Sequence, residues 1–452
     1  MQPAAKLDFA SLRSAYESGS ETPSSIIRLV YDRIAARGDD GTWLAVRPIE
    51  DVLAEAARLE AMAPADRAQL PLWALPFGIK DSIDYAGLPT TAGCPGYAYR
   101  PDRSATSVAR AEAAGALVIG KTALDQFATG LVGARVPGTA PANPFNPAFV
   151  SGGSSSGSAL AVALNQVAFA LATDTAGSGR VPAGLCNVVG LKPAKGRISK
   201  VGLVPACRSF DCITVMSHAV PDAMAVLAAL EMAEEGDPYS RPVPSGAVRP
   251  IGKHFRFAVP EASFRQQKGD AAAEIGFLAA IDRLGALGGV PVEIDMAPFL
   301  AAGALLYGPF VAERYADLGD FIDRRPEAVL PVIRDIIGSG RQVTAAALYR
   351  AQHRLAALAV ETAKLWQEVD ILVVPTLPRP VTRAELAADP VGPNALLGTY
   401  TTFGNLLDLS GIAVPAGFRA DGVPHGITLL GPAFAEDGFA DLAARFHAAS
   451  GA

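Results

Sequence analysis

The 452-residue sequence is poor in cysteine and has no concentration of charge of one sign. Four cysteines are too few for a disulfide framework at this length, and none belongs to a C-x-x-C pair typical of zinc or thiol-redox sites. The formal net charge is −6 without any long basic run, so we do not expect nucleic acid as a partner. His, Asp and Glu show no metal-ligand spacing, and the sequence predicts neither a metal nor a cofactor.

Long apolar runs are missing as well. No stretch of 18 apolar residues is free of charges and helix breakers, so we expect no membrane-spanning helix and no membrane partner. The first residues, MQPAAKLDFASLRS, lack the pattern of a signal peptide. Because half of the residues are hydrophobic and 19% are charged, the sequence predicts a globular, cytoplasmic protein.

Apolar patterns of strand and helix type alternate along the chain. The predicted strands are 74–80, 116–119, 167–173, 255–259, 290–295 and 370–375. The predicted helices are 104–115, 220–231, 270–287, 326–338 and 343–368, with an N-terminal helix that begins at Thr22 and Pro23. The segments 236–252 and 376–394 are predicted surface loops. This alternation is typical of an α/β fold whose sheet is at least partly parallel.

The densest local signal is the tract SGGSSSGS at 151–158. On composition alone, such a tract is usually a flexible linker. Here it runs directly into the apolar segment ALAVALNQVAFALA, and glycine in a core region allows sharp bends or close approach of the backbone. A linker and a functional loop therefore both remain open at this point.

A second loop places Ser178 between Gly177 and Gly179, after the predicted strand 167–173. Flanking glycines let a turn expose a hydroxyl and direct successive N–H groups to one point, as an oxyanion hole requires. An ordinary turn at the end of a strand has the same composition. The surrounding A-G-S-G differs from the G-x-S-x-G of the α/β-hydrolase elbow, which is not predicted.

Lys80 ends the apolar segment LWALPFGIK. Most lysines lie at the surface, so a surface position is favoured when this residue is considered alone. A buried lysine loses its charge readily, however, and a neutral amine is a usable general base. None of the five scattered histidines lies in the two Gly/Ser loops, which favours a serine–lysine arrangement over a Ser-His-Asp triad without excluding the triad.

Taken together, GIKD at 78–81, GGSSSGSALAV at 152–162 and ATDTAGSGRVPAG at 172–184 resemble the amidase signature family. The resemblance extends from about residue 20 to 445. It implies the amidase-signature fold, an α/β fold with a large mixed β-sheet flanked by helices on both faces. It also implies that Ser178 is the nucleophile, that Ser154 relays the proton and follows or contains a cis peptide bond, and that Lys80 is the neutral base.

The resemblance implies further roles around these three residues. The oxyanion hole is expected to consist of four backbone N–H groups, those of Thr175, Ala176, Gly177 and Ser178. Three side chains are expected to support the two loops, namely Ser155, Asp174 and Arg180.

Within the family, the chain is most similar to allophanate hydrolases. This likeness is carried by LDQFATGLVG at 124–133, VPACRSFDCITV at 204–215 and the segment 396–434. It implies cleavage of the small anion allophanate (urea-1-carboxylate) to ammonia and N-carboxycarbamate. The substrate-binding residues that correspond to those of the family are Tyr307, Arg314 and Gly130, with arginine suited to a bidentate contact with a carboxylate.

Two departures from the family pattern bear on the substrate. The spacing from Tyr307 to Arg314 is one residue shorter than usual, which turns a continuous helix by about 100° unless a kink at Pro309 absorbs it. In the segment 134–143 (ARVPGTAPAN), family members tend to have an aromatic residue where Gly138 or Thr139 falls and an arginine where Ala142 falls, so the entrance loop is expected to differ. The alternatives are an amidase for biuret, carboxybiuret or malonamate, the amidase subunit of an amidotransferase, and a non-catalytic protein that keeps the fold.

The domain prediction also follows the resemblance. A single amidase domain is expected over 1–452, without the second C-terminal domain of many allophanate hydrolases. Its parts are an N-terminal helical segment (about 1–65), a catalytic core (about 66–220), a helical substrate-covering region (about 236–370) and a C-terminal return to the sheet (about 370–452). A homodimer is expected from the same resemblance.

Overall fold

The secondary structure alternates as the apolar patterns predict. The structure, a computed structural model, describes residues 6–246 and 248–451. The α-helices are α1 Phe9–Ser18, α2 Pro23–Arg37, α3 Ile49–Glu60, α4 Pro64–Arg67, α5 Thr106–Ala113, α6 Ser156–Ala163, α7 Arg180–Leu185, α8 Val220–Leu230, α9 Ala262–Lys268, α10 Ala271–Ala286, α11 Ala297–Ala304, α12 Val311–Arg324, α13 Pro331–Gly338, α14 Ala345–Ala363, α15 Arg383–Ala388, α16 Gly392–Leu397, α17 Thr402–Leu406 and α18 Glu436–Ser450. The strands are β1 Trp43–Val46, β2 Pro76–Lys80, β3 Leu117–Thr122, β4 Phe169–Asp174, β5 Val189–Lys192, β6 Cys212–Ser217, β7 Phe255–Pro260, β8 Gly289–Ile294, β9 Ile371–Pro375, β10 Ser410–Phe418 and β11 Pro424–Gly431. Short 3-10 helices lie at Pro95–Tyr97, Gln126–Ala128, Pro326–Ala328, Ser339–Gln342 and Lys364–Gln367.

The described strands form one 11-stranded sheet in the order β1-β3-β2-β4-β6-β5-β10-β11-β9-β7-β8. β2 pairs in parallel with β3 and β4, and β7 pairs in parallel with β8 and β9. The other neighbours are antiparallel. The prediction of a large mixed sheet is confirmed. The predicted division of a single domain into four parts stays a prediction.

Helices cover both faces of the sheet. Because side chains alternate across a strand, neighbouring residues of β9 point to opposite faces. Ile371 and Val373 belong to a hydrophobic cluster that also contains side chains of α10 and α18. Leu372 and Val374 belong to a second cluster, with side chains of α11, α14 and α17. The expectation of helices on both faces is confirmed.

Local sequence explains where several helices begin. At the start of α2, Thr22 and Ser25 form a capping box and Pro23 occupies the first turn. The predicted helix 326–338 is divided instead into a 3-10 turn and α13. Leu330, the residue before Pro331, has an extended backbone (φ −55°, ψ 136°), because a proline ring disfavours helical geometry in the preceding residue.

The topology brings the two motif loops to one edge of the sheet. β2 and β4 are parallel neighbours, so their carboxyl ends lie together. Lys80 is the last residue of β2, and the loop with Ser178 follows Asp174, the last residue of β4. α6, which follows the Gly/Ser tract, packs against β2 and β4. Over residues 6–246 and 248–451, no helix is both long enough and apolar enough to cross a membrane.

Candidate active site

Lys80 is fully buried at the end of β2, contrary to the surface position that composition alone favours. Its Nζ forms hydrogen bonds with Ser154 Oγ and Ser155 Oγ, both at 2.8 Å, and with Thr173 Oγ1 at 2.7 Å. All three partners are neutral hydroxyls. Burial therefore lowers the pKa of Lys80 to about 7, although the carboxylates of Asp125, Asp211 and Asp174 act in the opposite direction. A pKa in this range suits an amine that loses and regains a proton near neutral pH.

The Gly/Ser tract is not a linker. Residues 151–158 are all buried, and the tract leads directly into α6, with Ser155 at the N-cap position. The peptide bond between Gly153 and Ser154 is cis, as the family resemblance implies. Ser155 Oγ contacts both Lys80 and the carbonyl of Thr173, so this side chain ties the tract to the end of β4.

Ser178 lies on a buried turn held by an ion pair. Asp174 and Arg180 are both fully buried, and Arg180 Nε and Nη2 each approach an Asp174 oxygen at 2.9 Å. Asp174 also accepts hydrogen bonds from the backbone N–H groups of Gly177 and Gly179. Burial by itself raises the pKa of the Asp174 carboxyl, but these cationic and N–H partners outweigh it, and the pKa lies below its usual value.

Of the four N–H groups expected in the oxyanion hole, one is already engaged. The N–H of Gly177 donates to Asp174 Oδ1 at 2.8 Å, so in this structure it stabilises the turn and does not face a substrate oxygen. The expectation for Gly177 is corrected to this extent. The assignment of Thr175, Ala176 and Ser178 as donors stays a prediction.

Several residues that support the loops come from distant parts of the chain and carry no sequence motif. Thr401 Oγ1 donates to the carbonyl of Ala176 at 2.7 Å. Asn405 Nδ2 donates to the carbonyl of Asp174 at 2.7 Å, and its Oδ1 accepts from Arg180. Thr175 Oγ1 donates to Asp211. Thr173, by contrast, lies within the family signature. Because side chains alternate along a strand, the side chain of Thr173 points to the face opposite that of Ala172, and this alternation is a signal that the sequence does contain.

Tyr307 and Arg314 are in contact despite their short spacing. The Arg314 guanidinium carbon lies 5.3 Å from the centre of the Tyr307 ring. The two residues do not share a continuous helix, because α11 ends at Ala304 and α12 begins at Val311, with Tyr307 in the turn between them. The missing residue therefore does not rotate one side chain away from the other. Pro309 lies in this turn, where its missing N–H costs no helical hydrogen bond.

Arg314 is only 1% exposed, and most of its hydrogen-bonding capacity is unused. Its Nη1 donates to Thr129 Oγ1 at 2.9 Å. Its Nε and Nη2 groups have no hydrogen-bond partner among the residues that the structure describes. A buried guanidinium in this state is costly unless an anion pairs with it, which makes Arg314 a candidate anion-binding group.

The predicted substrate residue Gly130 follows Thr129 directly. The Thr129 carbonyl accepts a hydrogen bond from Arg135 Nη1 at 2.9 Å, while its hydroxyl accepts from Arg314. Tyr307 and Arg135 both line a cavity of about 430 Å³ with mainly apolar walls. Within the described residues, no group of three or more His, Cys, Asp or Glu side chains is placed to hold a metal ion.

Comparison with known proteins identifies the family. The family model described as Amidase matches residues 25–439. The chain belongs to the amidase family. Among amidase-family relatives, a urea amidolyase of Lachancea kluyveri is 43% identical over 386 residues, covering 84% of this chain and 21% of the relative. A glutamyl-tRNA(Gln) amidotransferase subunit of Acidobacterium capsulatum is 34% identical, covering 85% of this chain and 86% of the relative.

A solved structure gives the same result. The selenomethionine-substituted allophanate hydrolase of Kluyveromyces lactis superimposes with a TM-score of 0.90 at 38% identity, covering 96% of this chain and 72% of that chain. This chain spans about a fifth of the length of the urea amidolyase it matches. The predictions of membership in the amidase signature family and of a likeness to allophanate hydrolases are confirmed.

Proposed function

We propose that the protein hydrolyses the terminal amide of allophanate to ammonia and N-carboxycarbamate through an acyl-enzyme on Ser178. The observation that carries the choice of substrate is the buried Arg314, which stacks on Tyr307 and has two N–H groups without partners among the described residues. The likeness to an allophanate hydrolase supports the same choice. The reaction itself is proposed from the contacts of Lys80 with the two serines of the Gly/Ser tract.

The proposed acylation begins with proton removal from Ser178. Its proton passes to Ser154, and Ser154 passes its own to the neutral Nζ of Lys80, 2.8 Å away. Ser178 Oγ attacks the amide carbon, and N–H groups of the turn stabilise the resulting oxyanion. The C–N bond breaks, ammonia leaves with the proton returned through Ser154, and the acyl group remains on Ser178.

Deacylation uses the same groups in reverse order. A water molecule attacks the acyl carbon while the relay accepts its proton, and the ester bond to Ser178 breaks. N-carboxycarbamate leaves, and Ser178 recovers its proton. A base with a pKa of about 7 suits both halves, because it takes up and returns a proton near neutral pH.

Selection of an anionic amide is proposed for the region around Arg314. A carboxylate on the substrate would supply the missing partner of the guanidinium Nε and Nη2 groups. Thr129 accepts a hydrogen bond from the third nitrogen, Nη1, so the edge of the guanidinium group formed by Nε and Nη2 is the one available to a carboxylate. A neutral amide leaves this charge unpaired, which is unfavourable in a buried site.

A second candidate is the amidase subunit of an amidotransferase. The likeness to the amidotransferase subunit of Acidobacterium capsulatum favours it, because this chain covers most of that protein. Amidases for biuret, carboxybiuret or malonamate would use the same serines and lysine. These candidates differ from the leading one in the amide that is cleaved, and a single set of assays separates them.

The location and assembly stay predictions of the same proposal. A cytoplasmic protein is supported by four free, buried cysteines, which suit a reducing compartment. The homodimer rests on the family resemblance alone.

The test is ammonia release by the purified chain from allophanate, biuret, carboxybiuret, malonamate, glutamine and acetamide. We expect the highest kcat/KM for allophanate and loss of activity on all amides in Ser178→Ala. Ser151→Ala, a change in the same tract, serves as the matched control and should remain active. Preference for another amide rejects the allophanate proposal, and full activity of Ser178→Ala rejects the mechanism.

A further inference from the structure

Asp125 is a fully buried carboxylate that lies beside the Gly/Ser tract. Its Oδ2 accepts hydrogen bonds from the backbone N–H groups of Val132 at 3.2 Å and Gly133 at 3.0 Å. Its Oδ1 accepts from the N–H of Arg135 at 2.8 Å. Its own N–H donates to the carbonyl of Ser154 at 3.0 Å. Both the side chain and the backbone of Asp125 therefore hold polar groups at the base of the site.

The carboxylate also fits closely against two glycines. A Cβ added to Gly153 would collide with Asp125 Oδ2, and one added to Gly130 would lie 2.6 Å from the same oxygen. Gly153 precedes Ser154, the hydroxyl that contacts Lys80. Gly130 follows Thr129, the partner of Arg314. The Asp125 carboxylate therefore contacts both the glycine that precedes Ser154 and the glycine that follows Thr129.

We propose that Asp125 is a positioning residue for the reaction: its backbone N–H holds the carbonyl of Ser154, and its carboxylate, packed against Gly153, stabilises the ammonium that Lys80 becomes when it accepts the proton. This inference rests on the proposed function, since it requires Lys80 to act as the base.

The other two carboxylates that act on Lys80 have side-chain partners. Three carboxylates act on Lys80, those of Asp125, Asp211 and Asp174. Asp174 shares its charge with Arg180 in a bidentate pair. Asp211 accepts from the Thr175 hydroxyl and from backbone N–H groups. Asp125 accepts only from backbone N–H groups, and its carboxylate is the strongest of the three influences on Lys80.

We take Asp125 to be ionised, because its two oxygens accept hydrogen bonds from three backbone N–H groups. Burial is the largest influence and raises the pKa of the Asp125 carboxyl above its usual value, while the charge of Arg135 and the three N–H bonds oppose this effect. In a protonated carboxyl one oxygen carries a hydrogen, which would lie close to the N–H hydrogens that donate to Asp125. The Arg135 guanidinium itself bonds the carbonyls of Thr129 and Pro390, so Asp125 remains available to Lys80.

The expected effect of Asp125→Asn has a defined sign. Loss of the negative charge removes a stabilisation of protonated Lys80, so the pKa of Lys80 falls below its value of about 7. Activity depends on neutral Lys80, and the acid limb of the kcat/KM profile should move to lower pH by about one unit. The plateau kcat should fall roughly tenfold, because Lys80 becomes a weaker base.

The matched control is Asp81→Asn. Asp81 is the chain neighbour of Lys80 and is also buried, but its charge is paired with Lys121 at 3.3 Å. We expect its acid limb to stay where it is in the wild type. Asp125→Glu keeps the charge but does not fit beside Gly153, so kcat should fall while the acid limb moves by less than in Asp125→Asn.

A direct titration of Lys80 separates this inference from the proposed function. The chain has nine lysines, so 13C-lysine labelling with Lys80→Met as the assignment reference allows the Lys80 signal to be followed against pH by NMR. We expect a lower midpoint in Asp125→Asn than in the wild type, whichever amide the enzyme cleaves. An unchanged midpoint overturns the role of Asp125 even if allophanate is hydrolysed. If Asp125→Asn does not fold, a midpoint in Asp125→Glu lowered by one unit or more overturns the charge argument, and one near the wild type supports it.

Discussion

Two fully buried arginines, Arg180 and Arg314, differ in how they are bonded. Arg180 forms a bidentate ion pair with Asp174 and also donates to the Thr401 carbonyl and to Asn405 Oδ1. Only its Nη1 has no partner among the described residues. Arg314 donates one hydrogen bond, to a neutral hydroxyl. Its two other nitrogens have no partner in the part of the chain that the structure describes.

The difference separates support from recognition. Arg180 holds a turn whose shape must already be correct when the substrate arrives, so its partners belong to the chain itself. Arg314 keeps donors free at a cost in stability, which is reasonable where a substrate carboxylate supplies the missing partner. Substitutions in the catalytic loops are therefore predicted to lower stability or abolish the reaction. Substitutions near Arg314 are predicted to weaken substrate binding.

The largest effect is expected for Arg180→Gln. The change leaves the buried Asp174 without its cationic partner, which should lower the free energy of unfolding by about 3–5 kcal/mol. Urea unfolding measures this loss. Arg445→Gln on α18 removes an exposed pair with Asp441 and should cost less than about 1 kcal/mol. Equal losses in the two variants would show that the Asp174–Arg180 pair does not stabilise the turn.

A smaller effect, on binding and not on folding, is expected for Arg314→Gln. Loss of a charged hydrogen-bond donor should raise KM for allophanate about 10- to 100-fold, with little change in kcat for acetamide. The free energy of unfolding should not fall as in Arg180→Gln, since no ion pair within the chain is lost. Arg334→Gln, an exposed arginine on α13, is the control. An equal rise in KM for the neutral amide would refute anion recognition.

The smallest effect is expected at Tyr307. Tyr307→Ala removes the ring that stacks on Arg314 and should raise KM for allophanate by about two- to tenfold. Tyr307→Phe keeps the ring and should retain most of the affinity. Steady-state kinetics with both variants distinguish the ring from the hydroxyl. A Phe variant as impaired as the Ala variant would mean that the hydroxyl, not the stacking, binds the substrate.

Features that depend on neighbouring residues are predictable from the sequence. Lys80, Ser154 and Ser178 lie in short motifs, and the structure places the first two in direct contact. The capped start of α2 and the strands that follow apolar runs were also predictable, because these signals depend on neighbouring residues. The family resemblance, more than composition, separated the Gly/Ser tract from a linker.

What the sequence did not reveal depends on distant residues. Thr401 and Asn405 support the Ser178 turn from more than 200 positions away, and no local pattern marks them. Pro309 indicates a possible kink between α11 and α12, but the full break over residues 305–310 is seen only in the structure. The predicted loop 376–394 contains α15, whose capping box of Thr382 and Glu385 was a usable signal.

Hydroxylamine trapping during allophanate turnover tests the central claim most directly. An acyl-enzyme on Ser178 must partition between water and hydroxylamine, so the account predicts that a carboxylated N-hydroxyurea replaces part of the acid product while ammonia release continues. Ser178→Ala should give neither product. Turnover without any N-hydroxyurea product at high hydroxylamine, or formation of that product by Ser178→Ala, would contradict the account.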